Sequence, residues 1–159
     1  MTRLSARQAR KLGILPNPVL VKRKTIAAAN QWDAKIISRS PGSCTWIKIP
    51  LLPPSLNEWS RWYWAKRDRY LKELSGNVAW LAKYAHLPRF EIATVQVVYY
   101  FRDARQRDKD NYNGKFLLDA LRYASIIARD DAEVLSLPQP DFRVDRESPH
   151  TEIFVWEGK

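Results

Sequence analysis

Two aspartates separated by one residue, Asp108 and Asp110, are the side chains of this sequence best suited to chemistry. Alternate residues of an extended chain point to the same side, so both carboxylates can reach one point. Two neighbouring carboxylates repel each other unless a positive charge lies between them. A divalent cation supplies that charge, and oxygen ligands favour Mg²⁺, for which Mn²⁺ can substitute. The alternative is that both acids cap the helix predicted to follow them, where backbone N–H groups are free.

A lysine and a second acidic pair follow in the chain. Lys115 falls in the first turns of the predicted helix, where an ammonium group can hold a phosphate or stabilise a developing negative charge. The alternative is a surface ion pair with Asp119, four residues further on. Asp130 and Asp131 come after the helix, and adjacent residues of an extended chain face opposite sides. We therefore expect only one of them to join the first pair, or both to lie in a solvated loop.

The composition argues against other kinds of catalytic site. The 159 residues include one cysteine, Cys44, and two histidines, His86 and His150. An intrachain disulfide or a cysteine-built metal site is therefore excluded, and a Ser–His–Asp hydrolase or a histidine-rich zinc site is disfavoured. The longest apolar runs are too short for a transmembrane helix, and the first residues lack the apolar core of a secretory signal. We expect no membrane partner.

The charge of the chain indicates a polyanionic partner. The net charge is +10, and residues 1–50 contain ten basic residues against one acid, Asp33. Residues 51–159 contain seventeen basic and sixteen acidic residues, so the excess is N-terminal. Such an arm is suited to nucleic acid. The alternative is a solubilising tail.

The pattern of apolar residues predicts a single α+β domain with a mixed sheet of about four to five strands and two main helices. Residues 1–43 are predicted to form a basic, flexible N-terminal extension, with Pro41 and Gly42 as breakers, and residues 44–159 to form the folded domain. Strands are predicted near 45–51, at 90–102, and as a final pair joined by a tight turn at 147–150. Helices are predicted at 66–85 and 111–127.

Residues 59–72 combine aromatic and basic side chains. Such a segment can stack unpaired bases or follow a phosphate backbone. Its candidate DNA contacts are Arg61, Lys66, Arg67 and Arg69. The alternative for Trp62 and Trp64 is core packing, because tryptophan is buried on average.

Taken in order, these motifs resemble the RusA-type Holliday junction resolvases. The family pattern begins with R-D-x-D-N and a lysine, to which residues 107–111 and Lys115 are similar. It continues with D-A-L and D-D-x-x-V, to which residues 119–121 and 130–134 are similar. The family's P-P-S-x-N turn is similar to residues 53–57, and the resemblance covers about 47–155. Two intervals, Asp108 to Lys115 and Asp119 to Asp130, look one residue longer than in the family. Gly114 can absorb the first insertion.

The resemblance implies a fold, an activity and a set of site residues. Members of the family are homodimeric, Mg²⁺-dependent endonucleases with a small α/β fold, borne by bacteria, phages and prophages. They act in DNA recombination and repair, where they resolve four-way junctions by paired symmetric nicks that leave 5′-phosphate ends. The implied metal ligands are Asp108, Asp110 and Asp131, and Lys115 is the implied functional lysine. Asn57 and Arg107, which lie in the matched motifs, join the candidate DNA contacts.

The location that the resemblance implies is the bacterial cytoplasm.

Two alternatives for the function stay open at this point. One is a DNA-binding module whose catalysis is weakened by the two insertions, and the other is a nuclease for other branched or single-stranded DNA.

Overall fold

A six-stranded mixed sheet organises the residues that the computed structural model describes, 32–39 and 42–158. Its spatial order is β1–β2–β6–β3–β4, and β5 pairs with β3. The predicted α+β class is confirmed, with a slightly higher strand count than the predicted four to five. The strands are β1 (Asp33–Arg39), β2 (Gly42–Ile49), β3 (Ala93–Phe101), β4 (Leu135–Ser136), β5 (Asp141–Val144) and β6 (His150–Glu157), and the helices are α1 (Leu56–Trp59), α2 (Trp64–Tyr84) and α3 (Lys115–Tyr123).

The predicted boundary at residue 43 does not coincide with an edge of the fold. β1 pairs with β2 in antiparallel register from Asp33↔Lys48 to Arg39↔Gly42, so part of the predicted extension is a strand of the sheet. Ala34 is buried, and Gly42, at φ +130°, begins β2 rather than interrupting the chain. The remainder of that extension, residues 1–31 together with 40 and 41 and so the predicted breaker Pro41, lies outside the described residues.

Alternation along β3 separates a core face from an opposite face, as predicted. Val95, Val97 and Tyr99 are at most 3% exposed and belong to the main hydrophobic cluster. Leu74 of α2 and Leu117 of α3 join the same cluster, so both helices cover this face. Each such side chain contributes about 1.5–3 kcal/mol when it is fully buried.

Within the described residues, no helix combines the length and the apolarity needed to cross a membrane.

The last two strands, β5 and β6, lie on opposite sides of β3. The expectation that they form a pair joined by a tight turn is therefore wrong. β6 is antiparallel to β3 over its whole length, whereas β5 runs parallel to β3 from Val98↔Asp141 to Phe101↔Val144. β3 is apolar enough to be buried at both edges, so it takes a partner on each side. The short β4 pairs with Ala93 and Thr94 on the β5 side.

The second long helix is shorter than predicted, nine residues instead of the range 111–127. It is preceded by Gly114 at φ +68° and followed by Ser125 at φ +59°. Beyond this turn the chain folds back, and the backbone of Phe90 bonds with Ile126 and Ala128. A helix of nine residues is about 13 Å long. The early fold-back shortens the path between Lys115 and the acidic pair that follows the helix.

Candidate active site

The acidic pair lies in a loop after β3, in a conformation that differs from the predicted extended one. Lys109–Asn111 form a short 3-10 helix, and Asp108 caps it because its Oδ1 accepts a 3.0 Å hydrogen bond from the Asp110 N–H. The alternative that both acids cap the helix predicted to follow them is wrong, because Gly114 lies at the N-cap of α3 and Asp108 caps only this single turn. Both aspartates are exposed. Both acids therefore belong to one short turn, Asp108 as its cap and Asp110 within it.

Asn111 ties this acidic turn to a distant segment. Its Oδ1 accepts a 2.8 Å hydrogen bond from the backbone N–H of Asn57 in α1. Ser55 caps α1 through a 3.3 Å bond from the Glu58 N–H to its hydroxyl oxygen. The predicted P-P-S-L-N turn and the acidic loop are thus neighbours in space.

An aromatic cluster supports the far end of the acidic turn. The ring of Tyr112 lies 5.3 Å from each of three rings, those of Tyr99, Phe101 and Phe142. Tyr99 and Phe101 belong to β3 and Phe142 to β5. Edge-to-face contacts of this kind favour one arrangement of the rings. The loop is therefore fixed to two strands of the sheet at its C-terminal end.

Lys115 is the first residue of α3, directly after Gly114. Gly114 has a left-handed backbone, φ +68°, which glycine adopts without the strain that a side chain adds; that it absorbs an insertion stays a prediction. The Asn113 side chain accepts a 3.1 Å bond from the Lys115 N–H. The Lys115 ammonium lies 3.7 Å from the Asp119 carboxylate, so the predicted ion pair is present. The lysine side chain remains 55% exposed, which leaves its ammonium accessible to a phosphate.

Asp119 and Arg122 extend this ion pair toward the later acids. Asp119 is only 14% exposed and lies 3.7 Å from Arg122 as well as from Lys115. Arg122 in turn lies 3.3 Å from Asp130. Arg122 is not among the residues predicted for the site, although its spacing of three residues from Asp119 on a helix is the signal that could have found it. The Lys115 ammonium is therefore one end of a row of alternating charges that runs through Asp119 and Arg122 to Asp130.

Asp131 is engaged by neighbouring groups. Its Oδ2 accepts a 2.6 Å bond from Arg129 Nε, and its Oδ1 accepts one of 3.2 Å from the Glu133 N–H. Among residues 32–39 and 42–158, no three or more His, Cys, Asp or Glu side chains form a group that could hold a metal ion. The predicted joint site of Asp108, Asp110 and Asp131 is therefore not preassembled, and its occupancy by metal stays a prediction.

The chemistry of the donor set nevertheless fits magnesium. Mg²⁺ in proteins keeps several waters and is commonly bound by one or two carboxylates together with substrate phosphates. Asp108 and Asp110 supply two exposed carboxylates on one turn. These two residues suit an ion whose remaining ligands are waters and substrate phosphates.

A cleft of about 240 Å³ opens beside Asp110. It lies where β4 and β5 leave the middle of β3, and Val97 contributes to its lining. Lys109 and Asn113 line it from the acidic loop, and residues 137–140 close the other side. The mixture of apolar walls with a few polar groups is typical of a ligand site. Asp110 thus borders a space that a substrate can enter.

Arg107 organises the loop ahead of the acids. Its guanidinium donates to the carboxylate of Asp103 at 2.7 Å and to the carbonyls of Asp103 and Arg105, and it lies 3.9 Å from the centre of the Phe101 ring. Hydrogen bonds from Arg107, and then from the Arg105 N–H, hold the pKa of Asp103 below its usual value. The Arg107 side chain is 20% exposed, so this predicted DNA contact has a structural function in the loop.

The aromatic segment divides into packed and exposed side chains. Trp59 and Trp62 lie 5.4 Å and 6.4 Å from the ring of Phe116, and Trp62 lies 5.5 Å from Tyr70. Core packing is thus the correct alternative for Trp62. It is wrong for Trp64, which is 79% exposed. Because Phe116 follows Lys115, the packed tryptophans bring this segment next to the start of α3.

The predicted basic contacts of this segment divide in the same way. Arg67 donates to the carbonyls of Ser60 and Trp62 at 2.8 Å and 3.0 Å, so it stabilises the turn between α1 and α2. Asn57, Arg61, Lys66 and Arg69 are exposed, and the Lys66 ammonium lies 4.1 Å from the centre of the Trp62 ring. Arg61, Lys66 and Arg69 thus face solvent on the segment 59–72, and Asn57 faces solvent just before it.

Comparisons with known proteins add no family to this description. No protein-family model matches the sequence, and a search of the curated proteins finds no match. The resemblance to the resolvases therefore rests on the motif residues and their arrangement.

Proposed function

We propose that this chain is a Mg²⁺-dependent, structure-specific endonuclease that cuts four-way DNA junctions by paired symmetric nicks. The observation that carries the proposal is the hydrogen bond between the Asn57 N–H and Asn111. It joins α1, which leads directly into the basic, aromatic segment suited to DNA, to the turn that bears Asp108 and Asp110. A binding surface and a candidate metal site are thus neighbours, as a nuclease requires.

The acids account for the proposed metal dependence. Asp108 and Asp110 would hold Mg²⁺, and Asp131 would join them in place of its ion pair with Arg129. When bound, the ion polarises a phosphoryl oxygen and lowers the pKa of a bound water. Acids alone would repel DNA phosphates, so the carboxylates favour binding of the scissile phosphate only when the ion is present.

Lys115 acts on the phosphate itself. Hydrolysis adds a water oxygen to phosphorus and breaks the bond to the 3′ oxygen, which leaves a 5′-phosphate and a 3′-hydroxyl. Negative charge accumulates on the phosphoryl oxygens during this step, and an ammonium group nearby stabilises it. Asp119, paired with Lys115 at 3.7 Å, is a positioning residue for that ammonium.

We further propose that the protein is a homodimer and that it acts in recombination and repair in the cytoplasm of a bacterial cell. Two matched nicks in a symmetric junction need two active sites, and a two-fold axis supplies them. Light scattering of the protein, alone and with junction DNA, tests this part. A monomer in both conditions contradicts it.

Cleavage of synthetic DNA tests the function. The full chain is incubated with a four-way junction, a duplex and a single strand of matched sequence, with and without Mg²⁺. We expect paired nicks in the junction alone, and only with Mg²⁺. Asp141→Asn, which removes a carboxylate that is 57% exposed on β5, is the matched control and should cleave normally.

Two other outcomes identify the competing functions. Tight junction binding without cleavage at any Mg²⁺ concentration indicates a DNA-binding module. Equal cleavage of single strands or flaps indicates a nuclease with a broader substrate range.

A further inference from the structure

Two neighbouring aromatic side chains at the start of α2 are exposed to an unusual degree. Tyr63 is 62% exposed and Trp64 is 79% exposed. Tryptophan is highly buried on average, and Trp62, two positions earlier, follows that rule by packing on Tyr70 and Phe116. The packing of the domain therefore does not account for Tyr63 and Trp64.

The segment 59–72, which carries this pair, has five basic residues and one acid, Asp68, which pairs with Lys72 at 2.8 Å. Arg61, Lys66 and Arg69 are exposed on the same segment, and the first turn of α2 contains no acidic residue. Aromatic rings between cations complement a nucleotide, because the rings stack on a base while the cations attract its phosphates. A second protein surface would need acidic groups to match these cations.

We propose that Tyr63 and Trp64 form a stacking surface for a nucleobase whose face is uncovered at the branch point of the DNA substrate. This inference rests on the proposed function and adds the feature of the substrate that is recognised. Trp64 follows Trp62 by two residues, a distance of at most about 7 Å along the backbone. The ring of Trp62 lies 6.4 Å from Phe116, the residue after Lys115. The pair thus belongs to the segment that packs on Phe116, the sequence neighbour of the proposed catalytic lysine.

Stacking on these rings distinguishes a branch from a continuous duplex. Inside a duplex, both faces of every base are covered by the neighbouring base pairs. At a branch point or in a single strand, a face is uncovered and an aromatic ring can stack on it. Phosphate contacts by lysine and arginine carry no such preference.

Binding measured without divalent metal tests the inference, because DNA then stays uncut. Fluorescence anisotropy compares the full chain with Trp64→Ala, Trp64→Phe and Tyr63→Ala on a four-way junction, a single strand and a continuous duplex. Tyr123→Ala is the matched control, since Tyr123 is 70% exposed at the end of α3. We expect Trp64→Ala to weaken junction and single-strand binding by about 5- to 100-fold and duplex binding by less than about 2-fold. Trp64→Phe should retain most of the affinity, and Tyr123→Ala all of it.

A fluorescent base gives an independent readout. With 2-aminopurine at the branch point, stacking on wild-type protein should quench its fluorescence more than Trp64→Ala does. Equal losses on junction and duplex, or no loss on either, overturn the inference. So does a change from dimer to monomer in Trp64→Ala, which would assign the pair to an interface between two copies. If wild-type protein does not prefer the junction, the proposed function fails, and the single-strand comparison then decides the stacking surface separately.

Discussion

The side chain of Asn111 accepts a 2.8 Å hydrogen bond from the backbone N–H of Asn57, which lies 54 residues earlier in the chain. Asn111 ends the turn that carries Asp108 and Asp110, whereas Asn57 belongs to α1, just ahead of the basic aromatic segment. This bond holds the turn of the proposed metal ligands against α1, the helix that leads into the proposed DNA surface. Both ends of the bond are exposed, so it contributes about 0.5–1.5 kcal/mol to stability.

Substitutions at the two ends of this bond should have different effects. Asn111→Ala removes the acceptor, and we expect cleavage to fall by about 10-fold or more because the acids lose their position relative to DNA. Asn57→Ala keeps its backbone N–H and hence the bond, so it should weaken DNA affinity alone. Cleavage rates at saturating enzyme, with melting temperatures as a control for folding, separate the two. Equal rates in both variants would show that the bond does not position the acids.

The acids should separate catalysis from binding. Asp108→Asn or Asp131→Asn should abolish nicking while junction binding is preserved or tightened, because a carboxylate facing phosphate is repulsive until metal neutralises it. Asp130→Asn should be milder, since its carboxylate pairs with Arg122. Near-normal nicking by Asp108→Asn or Asp131→Asn rejects the assignment of that acid.

Arg129 provides a second test of Asp131. Arg129→Gln removes the 2.6 Å ion pair and frees the Asp131 carboxylate. If Asp131 joins the metal, this variant should reach half-maximal cleavage at a lower Mg²⁺ concentration than wild type. An unchanged Mg²⁺ requirement would place Asp131 outside the metal set.

Removal of the Lys115 ammonium should slow the chemical step. Lys115→Ala is expected to lower the cleavage rate by roughly 10²-fold or more, the scale of losing one electrostatic stabiliser, with little change in affinity. Asp119→Asn should lower the rate less, because the ammonium remains but loses its partner. Single-turnover rates and binding isotherms check both. A loss of affinity alone in Lys115→Ala would make the lysine a phosphate contact.

Asp103 should make the acidic loop sensitive to low pH. Hydrogen bonds from Arg107 and from the Arg105 N–H lower the pKa of Asp103 in the folded protein. The stability that this carboxylate contributes is therefore present above its usual pKa and is lost as pH falls through the lowered value. Asp103→Asn should melt at a lower temperature than wild type at neutral pH, and the difference should disappear in strong acid. A difference that is constant across this range contradicts the assignment.

Deletion of the N-terminal segment should affect DNA binding and leave the chemistry intact. Residues 1–31 contain seven Lys and Arg and no acidic residue. Each lost phosphate contact reduces the slope of log K against log salt by about 0.9, so deleting residues 1–31 should lower the slope by several units. The cleavage rate at saturating enzyme should stay nearly unchanged. An unchanged slope would support a solubilising tail.

A longer deletion supplies the comparison. Removing residues 1–43 also removes β1, which pairs with β2 along its whole length. That variant should lose stability as well as affinity, which a melting curve detects.

The sequence by itself determined the features that depend on a single element. The alternation in β3 and the spacing of apolar residues in α2 follow from burial along one strand or one helix, so they were predicted within a few residues. The composition limited any metal site to carboxylates, and the motifs selected Asp108, Asp110, Asp131 and Lys115. The segment between Asp108 and α3 was predicted less well, because a side-chain cap and the glycine at position 114 decided its local geometry.

Only the tertiary structure decided which segments meet. Periodicity gave no reason for β5 and β6 to lie on opposite sides of β3, since the choice depends on which edges remain open once the sheet forms. Nor did it separate Trp62 from Trp64, because burial of an aromatic ring depends on a partner such as Phe116, more than fifty residues away. The bond between Asn57 and Asn111 is of the same kind. Contacts between distant segments depend on the whole fold. The candidate site residues could therefore be predicted from the sequence, whereas the contacts between their segments could not.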